Sequence, residues 1–445
     1  MLAYYLDLAW HSVKRNPVLT GLMVLAIGLG IGASMTMLTV LHVMSNDPLP
    51  GRSSTLYYPR LDPLPKDYPS HSEWGDAADN LTWPDAMALL HARKAEHQVA
   101  MAGGLLLAWP ARQGELPFSV KGRYTTADFF AMFGVPLERG SAWTAADDAA
   151  KARVVVLSHT LAVKLFGGAD ALGQNVRLGD VDYRVVGISK DWAPQPMFYA
   201  DPNAKGGFGE MDQFFVPLDT ATDRQLSSSN SFAGWENGNT GTVGDGKYNK
   251  YKDPATTWLQ VWVQLKDAAQ VRDYQRFLYN YSAQQHALGR FPRSPDLAHL
   301  YPMMDWLAHL NLVPGDVKLQ SWLALGFLLV CMTNVVALLL ATFLRRSGEV
   351  SVRRAMGARR RDIFVQFGVE SWLIGSLGGL LGIAIAELGL WSVRHRPDAY
   401  AKVAQMNLSM LLLTVLIAIV ASVLAGLLPA WRASRVTPAL QLKTQ

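Results

Sequence analysis

Four long apolar segments, one near the start and three crowded towards the end, constrain this chain more than any motif it contains. Residues 18–44, 319–344, 363–393 and 408–431 each supply the roughly 20 apolar residues that a bilayer-spanning helix needs. The first holds no charged side chain, and at about 1.5 Å rise per residue it reaches roughly 40 Å. A cleaved signal peptide would have an apolar run of only about 7–15 residues and a small-residue cleavage site after it, and the sequence fits neither. The spacing therefore predicts a membrane α-helical protein with four transmembrane helices, at 17–44, 319–344, 363–393 and 408–431. Residues 45–318 become a large domain inserted between the first and second helices.

Charge orients the helices. Lys14 and Arg15 precede the first span, and Arg432, Arg435 and Lys443 follow the fourth. Between the second and third spans stand Arg345, Arg346, Arg353, Arg354, Arg359, Arg360 and Arg361. Short loops rich in Lys and Arg stay on the cytoplasmic side. Both termini and the 345–362 loop are therefore expected inside, and residues 45–318 outside. Arg394, Arg396 and Lys402 lie on the other side, in the 394–407 outer loop, and are outvoted. Residues 45–318 carry a net −4 and the rest of the chain +9, which together give the overall +5. The basic balance thus belongs to loops facing anionic lipid and does not point to nucleic acid. Cys331 is the only cysteine, so no intrachain disulfide can form.

Along the chain, residues 1–16 read as an amphipathic helix on the membrane surface, with Leu2, Leu6, Ala9, Trp10 and Val13 on one face. The alternative is simply the frayed start of the first span. The outside domain reads as α+β. Thr82-Trp83-Pro84-Asp85 opens a helix expected to run to about Gln98. Strands are expected at 99–107, 116–122 and Val154–Leu157, and a short helix from Thr126 is stopped by Gly134. Ser158 caps a helix ending at Gly167-Gly168, and Gly179-Asp180 turns a hairpin. The alternating WLQVWVQL at 258–265 predicts a half-buried strand, followed by a helix from about Ala268 to Leu288. Residues 227–250, rich in Ser, Gly and Asn, read as a surface loop.

Several chemistries are absent as motifs. No G-x-x-x-x-G-K-S/T phosphate loop, H-E-x-x-H pair or G-x-S-x-G elbow occurs. His91 and His97 read as solvated helix histidines rather than zinc ligands. Glu370 and Glu387 lie in the third span, where a carboxylate is a functional candidate by default. The plainer reading for that span is helix packing, aided by Gly375, Gly378, Gly379 and Gly382.

The segment SGEVSVRRAMGARRRDIFVQFGVES, residues 347–371, closely resembles the FtsX-like permease signature. The matching positions are Glu349, Arg353, Ala355, Gly357, Ala358, Arg360, Arg361 and Asp362. Pro429, Ala430, Ala433 and Pro438 are similar to the closing pattern of the same family. In the outside domain, VKGRYTTADFF with the following RVVVLSHTLAVKLFGGADALGQNVRLGDVDYRVVGISKDW is similar to the periplasmic core domain of MacB-type permeases. The resemblance implies a two-lobed outside domain with the second lobe inserted at about 123–215. It implies a permease working as a homodimer or heterodimer, with an ABC ATPase subunit under each copy. ATP and Mg would be held by that partner, and this chain itself would bind no cofactor and catalyse no reaction. A periplasmic adaptor and an outer-membrane channel are further implied partners. The resemblance also implies mechanotransmission: ATP-driven closure below moves the first two spans and reshapes the outside domain. Export from the periplasm or outer leaflet is the expected activity; lipoprotein extraction and non-transport control of a periplasmic hydrolase are the alternatives.

The residues expected to meet the ATPase are Glu349, Val352, Arg353, Arg354, Ala355, Gly357, Ala358, Arg360, Arg361 and Asp362, on a short coupling helix at about 349–356. Glu349 and Arg353 stand four apart, spacing that makes an ion pair on a helix. Gly357-Ala358 is expected to admit close approach of another chain.

Overall fold

The computed structural model describes residues 2–69, 76–111, 114–203, 207–235, 250–313, 315–395 and 408–434. Two compact units emerge: residues 1–45 with 313–445, and residues 46–312. The expected outer loop beyond 395 and the tail beyond 434 lie outside the described residues.

The first unit is helical. It comprises α1 (Leu2–Arg15) and α2 (Pro17–Ser45), then, after the second unit, α10 (Gly315–Arg345), α11 (Ser347–Ala355), α12 (Arg360–Arg394) and α13 (Leu408–Ser434). Four of these, α2, α10, α12 and α13, are long and apolar enough to cross a membrane. Their packing depends on notches. A Cβ placed on Gly28 or Gly32 of α2 would fall 2.9 or 2.5 Å from the side chains of Leu381 and Ile385 on α12. Reciprocally, Cβ atoms on Gly378 and Gly382 would fall 2.6 and 2.9 Å from Ile27 and Ile31. Each helix thus presents two glycines one turn apart to two large residues of the other. That arrangement lets apolar helices approach where no hydrophobic effect drives them together.

The second unit is an α/β domain. Its elements are β1 (Leu56–Arg60), β2 (Leu81–Thr82), α3 (Trp83–Ala92), β3 (His97–Trp109), β4 (Phe118–Thr125), α4 (Phe129–Phe133), β5 (Leu137–Gly140), α5 (Ala145–Ala149), β6 (Val154–Ser158) and α6 (His159–Phe166). They continue with β7 (Asn175–Leu178), β8 (Val181–Ser189), β9 (Phe214–Pro217), α7 (Leu218–Asp223), β10 (Ala233–Gly234), β11 (Thr256–Gln264), α8 (Ala268–Ala287), β12 (His299–Pro302) and α9 (Met303–His309). The main path of the mixed sheet runs β12-β1-β11-β3-β4-β9-β6-β8-β5. The β4–β9 and β6–β8 pairs are parallel. Arg123 and Phe215, the expected bounds of the inserted lobe, are partners in the first of these. Its strands therefore continue the sheet of the flanking segments.

Local signals act as their chemistry requires. The Thr82 hydroxyl accepts from Asp85 N, and the Ser158 hydroxyl accepts from Leu161 N. Gly134 and Gly167 close their helices at φ +67° and +63°. The helix from Trp83 is shorter than expected. It stops at Ala92, with Arg93 left-handed, and His97 opens strand β3 instead of ending a helix. β11 is buried on both faces rather than half-buried. Trp258, Val261 and Val263 pack into one apolar cluster and Trp262 into another, an aromatic one with Tyr58, Phe133, Phe198 and Trp306. Alternation of Gln with aromatic residues predicts a wet face. Instead Gln260 is buried and donates to the Ala200 carbonyl. Part of the 227–250 segment is equally well anchored, since Asn230 accepts from Gly103 N at 2.7 Å and donates to the Trp258 carbonyl at 2.8 Å. Residues 236–249 lie outside the described ones.

Candidate coupling site

Between α10 and α12 the chain makes a short helix and two tight turns. Arg345 ends α10, α11 follows from Ser347 to Ala355, and Arg359 precedes α12. The stop after α11 is a Schellman arrangement: Ala358 N donates to the Arg353 carbonyl at 3.1 Å, around Gly357 at φ +103°. A Cβ on Gly357 would meet nothing within 4 Å. The glycine is therefore explained by its backbone angle, and the expected steric allowance for another chain is not needed to account for it. The start of α12 is capped by Asp362, whose carboxylate accepts from Arg359 N at 3.1 Å.

One face of α11 is held against its own unit. Val350 is buried in the cluster containing Met23, Val335, Phe343, Ile363 and Phe367, and Ser351 is buried beside it. The Phe343 and Phe367 rings stack at 4.1 Å beneath. The expected Glu349–Arg353 ion pair is not formed. Glu349 instead takes Arg15 of α1 at 2.8 Å, and Arg353 donates to Gln366 Oε1 of α12 at 3.0 Å. Each reaches a different helix, which fixes α11 laterally in a way that a pair within one helix could not. Sequence spacing gave local proximity but could not reveal these competitors.

The other face of α11 is bare. Val352 is 59% exposed and Met356 76%, one helical turn apart, with Ala355 exposed between them. Arg359, Arg360, Arg361 and Asp362 are exposed in the following turn, and Ala358 is half-buried. The backbone of Arg354 lies in α11. The result is a small apolar knob beside a basic rim.

Beneath the knob lies a polar cluster that the sequence reading did not assemble. Glu370 is buried on α12; Arg346 donates to both its oxygens, at 3.1 and 3.2 Å, and the Ser12 hydroxyl of α1 donates to Oε1. Four stretches of chain thus converge on the α10–α11 corner: α1, the end of α10, α11 and α12. Glu387, the other intramembrane carboxylate, pairs with Arg394 on its own helix at 2.8 Å.

Comparison with known proteins agrees with this architecture. The profile of the MacB-like periplasmic core domain matches residues 20–276, and that of the FtsX-like permease C-terminal region matches residues 322–438. The pyoverdine export ATP-binding/permease protein PvdT of Pseudomonas putida is 25% identical over 99% of this chain and 59% of its own length. The macrolide export ATP-binding/permease protein MacB of Nitrobacter winogradskyi is 23% identical over 97% of this chain and 58% of its own. The chain therefore spans just under three-fifths of these curated relatives. The periplasmic region of MacB from Actinobacillus actinomycetemcomitans aligns with a TM-score of 0.37 at 12% identity, covering 60% of this chain and 96% of that one. With four apolar helices, an α/β domain between the first two and both profiles matched in order, the chain belongs to the FtsX-like permeases that carry a MacB-like periplasmic core domain.

Proposed function

We propose that this chain is the membrane permease of an ABC exporter, and that α11 is the element through which an ATP-binding cassette drives it. The cassette is a partner on the cytoplasmic side of the inner membrane, holding ATP and Mg; the N-terminus and the 345–362 loop face it on that same side. A second permease copy completes the machine, and a periplasmic adaptor with an outer-membrane channel receives the cargo. The named relatives are exporters, of pyoverdine and of macrolides, which favours export from the periplasm or outer leaflet over the other readings.

One observation carries the coupling role: α11 is braced on its inner face and apolar on its outer one. Val350, the Arg15–Glu349 pair and the Arg353–Gln366 bond prevent it from moving alone. Force applied at Val352 and Met356 is then delivered to α1, α10 and α12 together. An exposed apolar pair with a basic rim is the composition of an interface centre and its edge. Glu349, Arg353 and Asp362 act as positioning residues, while Val352, Ala355, Met356, Ala358, Arg360 and Arg361 form the contact surface, with Arg354 alongside.

The test is a double replacement, Val352→Asp with Met356→Asp, in the full chain reconstituted with the cassette that co-purifies with it. Both sites are exposed, so stability should change by less than about 0.5 kcal/mol per site. Cassette binding and export should fall at least tenfold. Full export by the doubly substituted protein, with the cassette still bound, would remove α11 from the mechanism.

A further inference from the structure

We propose that the corner between α2 and α10 is a binding site for one phospholipid with a net-negative headgroup. The inference rests on the membrane-spanning reading, and the leaflet occupied rests on the orientation given above.

A groove of about 510 Å³ opens there, lined by Arg15, Arg345 and Arg346, with Glu349, Thr342 and the first turn of α2. The lining carries three guanidiniums against one carboxylate, and counting Glu370, which pairs with Arg346 from outside the lining, the local balance is +1. Two of the three are already engaged, Arg15 by Glu349 at 2.8 Å and Arg346 by Glu370 at 3.1 Å. Arg345 is exposed, and no carboxylate among the described residues lies within 4 Å of it. A groove so charged favours a phosphodiester that brings no cation of its own. Choline or ethanolamine headgroups would carry their ammonium into the same positive field.

The position is that of a lipid headgroup. Arg345 is the last residue of α10 and Pro17 the first of α2, so the groove sits where two spanning helices begin and end. From it an apolar track leads along α2. Val18 and Leu22 line the groove, and Val18, Leu22, Leu25 and Leu29, spaced by four, three and four residues, are all exposed. This is one helix face left uncovered in the direction an acyl chain would take. A second copy of the chain is the poorer occupant here. It would bring its own 345–362 segment, with seven arginines against two acidic residues, up to an equally positive surface.

The experiment uses the full chain in detergent and native mass spectrometry with added phosphatidylglycerol or phosphatidylcholine. Wild type should retain one phosphatidylglycerol per chain and little phosphatidylcholine. Arg345→Gln should bind phosphatidylglycerol about fivefold more weakly, the effect of one basic group near an anionic headgroup. Arg361→Gln, exposed and outside the groove, should leave binding unchanged. Val18→Asp, which puts a carboxylate in the groove wall, is the second probe should Arg345→Gln prove unstable, and it should also lose the lipid. Equal retention by wild type and Arg345→Gln, or equal loss in Arg361→Gln, overturns the site. Competition by inorganic phosphate at the lipid's concentration would reduce it to an anion site with no lipid specificity, and a change in dimer fraction in place of lipid loss would assign the face to a second copy. Reporter fusions showing the reverse topology would move the lipid to the other leaflet while leaving the binding results intact.

Discussion

The two units bury charge on opposite terms. In the outside domain Arg60, Asp62, Asp76, Asp79, Asp85, Arg123, Asp201 and Asp212 are all buried, whereas Glu370 is the one buried charge among the described residues of the helical unit. The domain's buried charges tie remote segments together. Arg60 on β1 meets Asp76 at 2.6 Å and Asp79 at 2.8 Å, and His309 on α9 reaches Asp79 at 3.1 Å. Arg123 on β4 meets Asp212 at 2.6 Å, and Arg293 meets Asp62 at 3.1 Å. Through Asp79 the first of these pins joins the first strand of the domain to its last helix, the two stretches of chain nearest its connections to α2 and α10. A spanning helix has no such freedom, because a charge in hydrocarbon is costly and must be closely paired. Glu370 fits that rule: it lies within the first third of α12 and is met by Arg346 and Ser12. Cohesion in the helical unit comes instead from glycine notches.

Breaking the densest pin should have the largest effect. Arg60→Leu leaves Asp76 and Asp79 buried without their cation, and removing one partner of a buried pair costs about 3–5 kcal/mol. Denaturant unfolding of the full chain in detergent, followed by the fluorescence of nearby Trp262 and Trp306, reads this directly. Adding Asp76→Asn and Asp79→Asn should recover most of the loss. A cost under about 1 kcal/mol for Arg60→Leu would mean that the pins are incidental to the domain's stability.

The matching attack on the helical unit is Gly32→Leu. Even the Cβ would fall 2.5 Å from Ile385 Cγ2, so α2 and α12 must separate. Overpacking of this kind costs about 1–3 kcal/mol. Thermal aggregation of the solubilised protein should begin at lower temperature, and Ile385→Ala should restore it in the double variant. Restoration would establish that the notch, rather than the glycine's flexibility, holds the helices together. A Gly32→Leu protein as stable as wild type would leave polar contacts as the main bond in both units.

How far these features were legible in the sequence follows the range of the forces involved. The spans, the caps at Thr82 and Ser158, the Gly134 stop and the 175–189 hairpin are local; the caps, stop and hairpin sit within a residue or two of where their chemistry places them, and the later spanning helices run three to four residues past their apolar segments, α10 starting at Gly315. The end of α3 and the two-sided burial of β11 were misread because both depend on what packs from far along the chain. At the coupling site the short helix was legible, but its partners were not. Arg15 and Glu349 are 334 residues apart, and Ser12 and Glu370 are 358. No pattern in one sequence joins such pairs, and the nearer Arg353 was a natural but mistaken partner for Glu349. Val352 is among the residues expected at the contact; Met356, its exposed apolar neighbour one turn on, is not, although an apolar residue at the end of a short basic helix needs a reason.

Asp148 tests the comparison from within the outside domain, because it is a half-buried carboxylate held by neutral donors only. Ala127 N and Trp143 Nε1 each donate to it at 2.8 Å, yet burial outweighs them and pushes it up to about 6 from an ordinary 3.8. Its folded form therefore holds the proton more tightly than the unfolded chain does. The stability this contributes is complete below about pH 3.8 and is lost as pH rises through about 6. Asp219 nearby is shifted the same way by burial, so the two act together. Asp148→Asn removes one titrating group, and the fall in unfolding free energy between about pH 4 and pH 7 should become shallower than in wild type. The effect should be the smallest of the three, because the group is only partly shielded from water. An unchanged slope would mean that Asp148 is charged in the folded domain at every pH tested. Its two neutral donors would then stabilise the carboxylate as effectively as Arg60 does for Asp76 and Asp79, and a cation would not be what makes burial of charge tolerable in this fold.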